Sequence, residues 1–290
     1  MVLEFDPTIP IASAFTPPSR WYTSPSFLKS EEQTLLAETW QFVGRADQVA
    51  EPGTFFTADI SGESILVSRD EKGELRGFYN VCRHHAALVA EGAGKAEEFV
   101  CPYHGWCYRL DGRLKKAPKL GPAKDFHPDD YGLVPLHVCE WGPLIGVALG
   151  KDRPMDPAQA FPAVNEAMVS SNWTELRFFE RRSYEVACNW KVYVDNYLDG
   201  GYHVSVLHPD LADSLDLGSY QTTVEGSSVL QTSGGAQGEE RIGREAQYGW
   251  VYPNFMMNRY GPVLDTNWVI PKGPEHCVVC LLYTSPSPRD

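Results

Sequence analysis

Cys82-Arg-His84 and Cys101-Pro-Tyr-His104-Gly-Trp106 each put one thiolate and one imidazole on a short segment. Two such segments at the tips of adjacent hairpins can clamp a small inorganic core from both sides. Zinc accepts four such ligands, although zinc fingers usually pair Cys with Cys and His with His. A [2Fe–2S] cluster with two Cys on one iron and two His on the other uses the same set, and imidazole in place of thiolate raises its reduction potential. Unliganded core residues are the third reading. A second constellation, DNYLDGGYHVSVLHPD at 195–210, carries His203 and His208 among carboxylates and glycines. Two neutral imidazoles plus one carboxylate, with open positions left over, hold non-haem Fe(II) that binds O2. An ordinary pair of helix histidines is its bland counterpart.

These donors need particular backbones. Trp190, Val194, Tyr197 and Leu198 follow helical spacing, which predicts a helix over about 190–207 leading into the histidines. Positions five apart lie about 140° apart on a regular helix, so the backbone must bulge or stop between His203 and His208. Gly200 and Gly201 weaken the helix just before His203, and Pro209 biases His208 away from the helical region. For the first constellation, runs such as FFTADI, SILVSRD and EEFVCPYHGWCYRL predict a small all-β domain over 45–150. Asp111-Gly112 reads there as a two-residue type I′ hairpin. Upstream, Ser30 and Gln33 resemble a capping box opening a helix through about Gly44, with Leu35, Leu36 and Trp40 on one face. Residues 151–162 are a plausible junction, and strand-like runs resume from about 219. His85, on an extended backbone, points away from His84. Cys107 reads as a buried thiol, and Arg113, Lys115, Lys116 and Lys119 as a solvated face that could receive an acidic electron donor.

A net charge of −13 argues against nucleic-acid or anionic-membrane partners. No window approaches a membrane span, no signal or transit peptide is evident, and seven irregularly spaced cysteines suit thiols and metal ligands. The expectation is an intracellular, cytoplasmic protein acting on a small molecule.

The pattern C-x-H…C-x-x-H-G-W resembles the Rieske family. D-N-Y-x-D-G-G-Y-H-V-x₃-H behind it resembles the α subunits of Rieske non-haem iron oxygenases, and most of all their choline monooxygenase group. FTADISGESILVSRD, NWKVYVDNYLDGGYHV and YPNFMMNRYGP carry that resemblance. It implies an α+β protein: an all-β Rieske domain, then an incomplete helix-grip catalytic domain over 151–279. It also implies Cys82, His84, Cys101 and His104 on a [2Fe–2S] cluster, with mononuclear Fe(II) on His203 and His208. Electrons from NAD(P)H would arrive through a ferredoxin or flavin reductase, O2 would be the cosubstrate, and the assembly would be a homotrimer. An acid before the first iron histidine would bridge the two centres. Asp199 is the candidate and Asp195 stands behind it, since many relatives place the acid where this chain has Gly200.

The family's third iron ligand is an aspartate far downstream, which this chain lacks. Asp210, Asp213 and Asp216 suit helix-end or turn roles, and Asp265 matches no motif. Residues 280–290 change character and resemble translated sequencing adapter, so Val279 is expected to be about the last genuine residue. The implied reaction is hydroxylation of choline or oxidation of a related quaternary ammonium compound. Trp250, Tyr252 and Trp268 are available for an aromatic box, or for core packing. An aromatic-ring or demethylating oxygenase is the enzymatic rival. A Rieske electron-transfer protein and a zinc-stabilised binding module are rivals of other classes.

Overall fold

The computed structural model describes residues 5–237, 242 and 244–285. The chain forms two compact units, one from Leu36 to Ala158 and one joining the residues up to Leu35 to those from Gln159 onward. That boundary falls inside the expected 151–162 junction, while the N-terminal segment belongs with the second unit.

The segment opens with helices α1 (Arg20–Thr23) and α2 (Pro25–Glu31). Ser24, not Ser30, is the N-cap: its hydroxyl accepts the Phe27 N–H at 3.3 Å, and Pro25 takes the first helical position, where no N–H is needed. The helix widens into a π-type stretch over Glu32–Leu36 and ends well before Gly44. Residues 41–45 instead form a strand, because Gln41, Phe42 and Val43 are all buried in a sheet.

The strands of the Leu36–Ala158 unit all pair antiparallel. Its strands are β1 (Gln41–Arg45), β2 (Thr54–Ile60), β3 (Glu63–Arg69), β4 (Leu75–Tyr79), β5 (Ala93–Lys95), β6 (Phe99–Val100), β7 (Cys107–Tyr108), β8 (Leu114–Lys116), β9 (His137–Trp141) and β10 (Leu144–Ala148). They order as β1-β10-β9, β4-β3-β2-β5 and β6-β7-β8. A core of Leu66, Phe78, Val89, Phe99, Trp106, Tyr108 and Leu114 includes Cys82 and Cys101. Each large apolar side chain buried there contributes roughly 1.5–3 kcal/mol. The β7–β8 turn departs from type I′. Gly112 N–H bonds to the Arg109 carbonyl at 2.9 Å, and only Gly112 of the Asp-Gly pair has positive φ, at 85°. Leu110 and Asp111 therefore make an ordinary turn closed by a glycine bulge, which relieves Asp111 of the left-handed conformation.

The second unit adds α3 (Pro157–Ala160), at the boundary, α4 (Pro162–Ser170), α5 (Trp190–Tyr197), α6 (Val204–Leu207) and α7 (Pro209–Ser214). Its strands are β11 (Arg177–Val186), β12 (Leu215–Glu225), β13 (Ser228–Gly235), β14 (Glu245–Val251), β15 (Phe255–Tyr260), β16 (Val263–Gly273) and β17 (His276–Ser285). They make one antiparallel sheet, ordered β11-β17-β16-β15-β14-β13-β12. Trp190 and Val194 of α5 pack on Met256, Val269, Cys277 and Val279. On the opposite face α4 lies so close that a Cβ at Gly249 would stand 2.9 Å from Val164. The mixed, largely antiparallel architecture is the expected α+β class. β17 continues past Cys280 without a break, pairing Leu281 with Arg182 and Asn267, and Ser285 with Arg177. The last five residues of the 280–290 segment lie outside the described residues. No helix is long and apolar enough to cross a membrane among the described residues.

Candidate iron centres

The two Cys/His loops share one backbone design. In the first, Ala86 N–H donates to the Cys82 carbonyl and Cys82 N–H to the Ala87 carbonyl; in the second, Gly105 donates to Cys101 and Cys101 to Trp106. The residue four after each cysteine has positive φ, 58° at Ala86 and 73° at Gly105. Holding a non-glycine residue there is a local cost that a functional loop can sustain. The isolated bridge Val81–Leu88 closes one loop and the Val100–Cys107 pair closes the other. Buried Asn80 braces the first, accepting the Val89 and Ala90 N–H groups and donating to the Ala90 carbonyl at 2.7 Å.

The loops turn Cys82 and Cys101 inward, each 2% exposed, and leave His84 and His104 at the surface with ring centres 4.6 Å apart. A buried sulfur pair and an exposed imidazole pair are the disposition a two-iron cluster with unlike ends requires. His84 stacks on Trp106 at 4.9 Å. Desolvation, and then His85 and His104, lower its pKa and favour the neutral imidazole a metal needs. His85 does not point away: the turn sets its ring 4.0 Å from that of His84. Cys107 is buried, and burial followed by Glu98 pushes its pKa up to about 11. Of the basic run, Arg113 pairs with Asp111, and Lys115 with Glu98.

Sequence reasoning saw Tyr108 only as part of a hairpin. Its buried hydroxyl lies 3.2 Å from Cys82 Sγ and accepts the Arg83 N–H at 3.0 Å. Burial, and then the Cys82 contact, raise its pKa, so the hydroxyl keeps a proton to offer sulfur.

In the second unit α5 stops at Tyr197, Gly200 and Gly201 take φ of 71° and 75°, and His203 caps α6. His208 follows at φ −130°, ψ 64°, outside the helical region and ahead of Pro209. The interruption brings the two imidazoles to 5.3 Å, at 77° to one another. His203 Nδ1 lies 2.5 Å from Asp199 Oδ2, which fixes the ring and leaves Nε2 for a metal. Asp195 is turned elsewhere and accepts the Tyr22 hydroxyl at 2.8 Å.

Both histidines line a cavity of about 180 Å³ whose other walls include Tyr197, Tyr220, Tyr248, Tyr260, Gln231 and Asn258. Burial pushes the Tyr220 pKa up to about 12 and that of Tyr197 well above its ordinary value, so both phenols are neutral near pH 7. Trp250 and Tyr252 line a different cavity, with Trp21, Phe27 and Trp190, and Trp268 is buried in the sheet. The tryptophans are therefore apart from the histidines, and tyrosines take their place. Asp210 lies in the first turn of α7, Asp216 accepts the Gly218 N–H, and Asp265 accepts Asn258 and Asn267 side-chain amides. Among the described residues, no three or more His, Cys, Asp and Glu side chains converge on one metal position. A two-iron cluster needs only two protein donors per iron, whereas among the described residues the His203/His208 pair has no converging carboxylate beyond the Nδ1-bound Asp199.

Paired thiols and imidazoles on one unit, with a further imidazole pair over the sheet of the other, are the donor types that an iron-dependent oxygenase component fed by a [2Fe–2S] cluster uses. Residues 39–127 match the Rieske [2Fe-2S] domain, and residues 173–288 the catalytic domain of the ring hydroxylating alpha subunit. The chain is 42% identical to choline monooxygenase, chloroplastic, of Arabidopsis thaliana, over 100% of this chain and 72% of the relative. It is 30% identical to the carnitine monooxygenase oxygenase subunit of Escherichia coli, over 84% and 67% of the two chains. A solved quaternary ammonium Rieske monooxygenase, described with carnitine oxidation and inter-subunit electron transfer, superposes with a TM-score of 0.86 at 27% identity, covering 95% of this chain and 77% of its own. The chain belongs to the Rieske non-haem iron oxygenases, as an α-type subunit. Its cofactors are accordingly a Rieske [2Fe–2S] cluster and a mononuclear iron. It spans between 65% and 72% of the plant relatives from Beta vulgaris and Arabidopsis.

Proposed function

We propose that the chain serves a monooxygenase that oxidises choline or a related quaternary ammonium compound. The observation that carries this reading is the tyrosine-walled cavity at His203 and His208, whose lining holds no Lys or Arg among the described residues. A quaternary ammonium ion cannot donate a conventional N–H hydrogen bond, so a receptor must meet it with ring faces and diffuse negative potential. Each well-placed ring contributes about 0.5–2 kcal/mol, more as water is excluded. Neutral phenols offer those faces, while the Gln231 and Asn258 amides are engaged in holding Tyr197, Tyr220 and Asp265.

Cys82 and Cys101 would hold one iron of the cluster, and His84 and His104 the other. His203 and His208, with a carboxylate, would hold the mononuclear Fe(II), which when bound supplies the O2 chemistry that no side chain can perform. Asp199 orients His203 through Nδ1 and offers a proton relay at that atom, and so is preferred to Asp195 as the bridging acid. A ferredoxin or flavin reductase is the proposed NAD(P)H-linked donor, and a homotrimer the proposed assembly. Seven free cysteines suit the interior of a cell, while the plant relatives carry chloroplastic in their names.

The test is turnover by protein loaded with cluster and Fe(II), supplied with reductase and NADPH. Choline should yield betaine aldehyde, and aromatic acids should yield no hydroxylated product. Product from aromatic acids alone would establish the ring-hydroxylating alternative. The rival reading is electron transfer without oxygenation. Three irons per two sulfides in purified protein support the oxygenase, and two per two support electron transfer.

A further inference from the structure

Cys188 and Cys277 are a thiol pair outside both iron centres. β11 ends at Val186, whose register partner on β17 is Cys277. The chain then folds back, the Cys188 N–H donating to the Val186 carbonyl at 2.9 Å. Cys188 thereby packs against the apolar cluster that contains Cys277. Cys277 is wholly buried, whereas Cys188 is partly exposed. The residue after Cys188 is Asn189, the N-cap of α5, whose side chain accepts the Lys191 N–H and donates to the Tyr22 and Pro274 carbonyls. The pair thus sits at the anchored end of the helix that leads to His203.

We propose that Cys188 and Cys277 close to a reversible disulfide when the protein meets hydrogen peroxide. The Cys188 sulfur, the accessible one, attacks a peroxide oxygen; the O–O bond breaks, water leaves and a sulfenic acid forms. The Cys277 sulfur then attacks the Cys188 sulfur, the S–S bond forms as the S–O bond breaks, and the Cys277 proton leaves in a second water. Two thiols lose two electrons and one peroxide gains them, giving a disulfide and two waters. Burial, then Cys188, pushes the Cys277 pKa up to about 12, so little thiolate is available and this second step is the slower one. The cross-link staples the start of α5 to β17 and closes a long loop through the sheet, which restricts the unfolded chain.

The full chain with its cluster is treated with hydrogen peroxide, its remaining thiols are capped with N-ethylmaleimide, and the digest is mapped by mass spectrometry. The expected product is a peptide pair joined through Cys188 and Cys277, 2 Da lighter than its free thiols and released by dithiothreitol. Oxidation should also raise the unfolding midpoint of the parent protein, a rise absent from Cys188→Ser and Cys277→Ser. Should either variant fail to fold, the peptide map of the parent protein decides alone. Cys188 recovered as sulfinic acid, joined to another cysteine or still free for the maleimide overturns the proposal.

Discussion

Replacing Tyr108 by Phe removes one hydroxyl and nothing else from a buried wall of the cluster loops. That hydroxyl lies 3.2 Å from Cys82 Sγ, and no water can replace it at a side chain with 0% exposure. A hydrogen bond to a charged acceptor is worth about 1.5–3 kcal/mol. Sulfur is a better acceptor when the cluster carries one more electron, so part of that energy favours the reduced state. If roughly 1–2 kcal/mol of it is differential, the one-electron potential should fall by about 40–90 mV in Tyr108→Phe. The Arg83 N–H also loses its acceptor, but Arg83 is exposed and water can substitute. The assay is a redox titration followed by EPR of the reduced cluster, with unchanged g-values showing that Cys82 still ligates. A potential within about 10 mV of the parent, or a higher one, would refute the reasoning, because the hydroxyl would then not distinguish the two oxidation states.

Asp199→Asn should keep a hydrogen bond to His203 but lose its charge, lowering Fe(II) affinity or coupled turnover about 10–100-fold, while Asp195→Asn should leave both within about twofold. Equal losses in the two variants, read by iron content and NADPH-linked product, would remove Asp199 from the site. Gly201→Ala places a side chain at φ 75° with its Cβ 3.0 Å from the Tyr220 ring, so a loss of about 1–3 kcal/mol in urea unfolding, with weaker Fe(II) binding, is expected. Asp70 is buried, which alone would raise its pKa, yet the Glu74 and Lys72 N–H groups and Arg76 hold it below the ordinary carboxylate value. Its folded pKa is thus depressed, and its ionised form stabilises the protein above the unfolded value near ~3.9, an advantage lost as pH falls through the folded value. Asp70→Asn should therefore cost about 1–3 kcal/mol at pH 7 and progressively less below pH ~4 in denaturant titrations; an equal cost at both would show that the charge is not what matters.

The cluster loops were readable from sequence because donor type, spacing and the neighbouring Gly105 and Trp106 are all local. The break before His203 was readable for the same reason, since Gly200 and Gly201 encode it. What escaped depended on contacts across the chain. The capping-box reading at Ser30 overlooked Ser24-Pro25 and could not see that Phe42 and Val43 belong to a sheet. Asp-Gly matched a type I′ turn as well as the bulged turn that the β7–β8 register adopts. Asp195 and Asp199 could not be separated by helical phase, because the helix ends between them. Tyr108 was invisible as a partner of Cys82, and of the aromatics available for a box or for core packing, Trp250 and Tyr252 line a cavity other than the one with the histidines while Trp268 is buried.

The second unit also explains how a loop rich in glycine can hold two imidazoles in register. α5 is tied at its start, where Glu31 on α2, only 8% exposed, accepts both Lys191 Nζ at 2.8 Å and Trp190 Nε1 at 3.2 Å. Lys191 in turn lies over the Tyr22, Phe27 and Trp190 rings. Breaking a buried pair of this kind usually costs about 3–5 kcal/mol, because one charge is left without its partner. The far end is tied differently: buried Gln231 donates to the Tyr197 carbonyl at 3.0 Å and accepts the Tyr220 hydroxyl, while the Tyr197 hydroxyl bonds to Asn258 at 2.8 Å. The Tyr220 ring then closes on Gly201. The helix supplies rigidity at both ends, so the two glycines are free to set only the direction in which Asp199 and His203 leave it. The same tyrosines that fix the helix wall the cavity, which couples the geometry of His203 and His208 to the rest of the cavity lining.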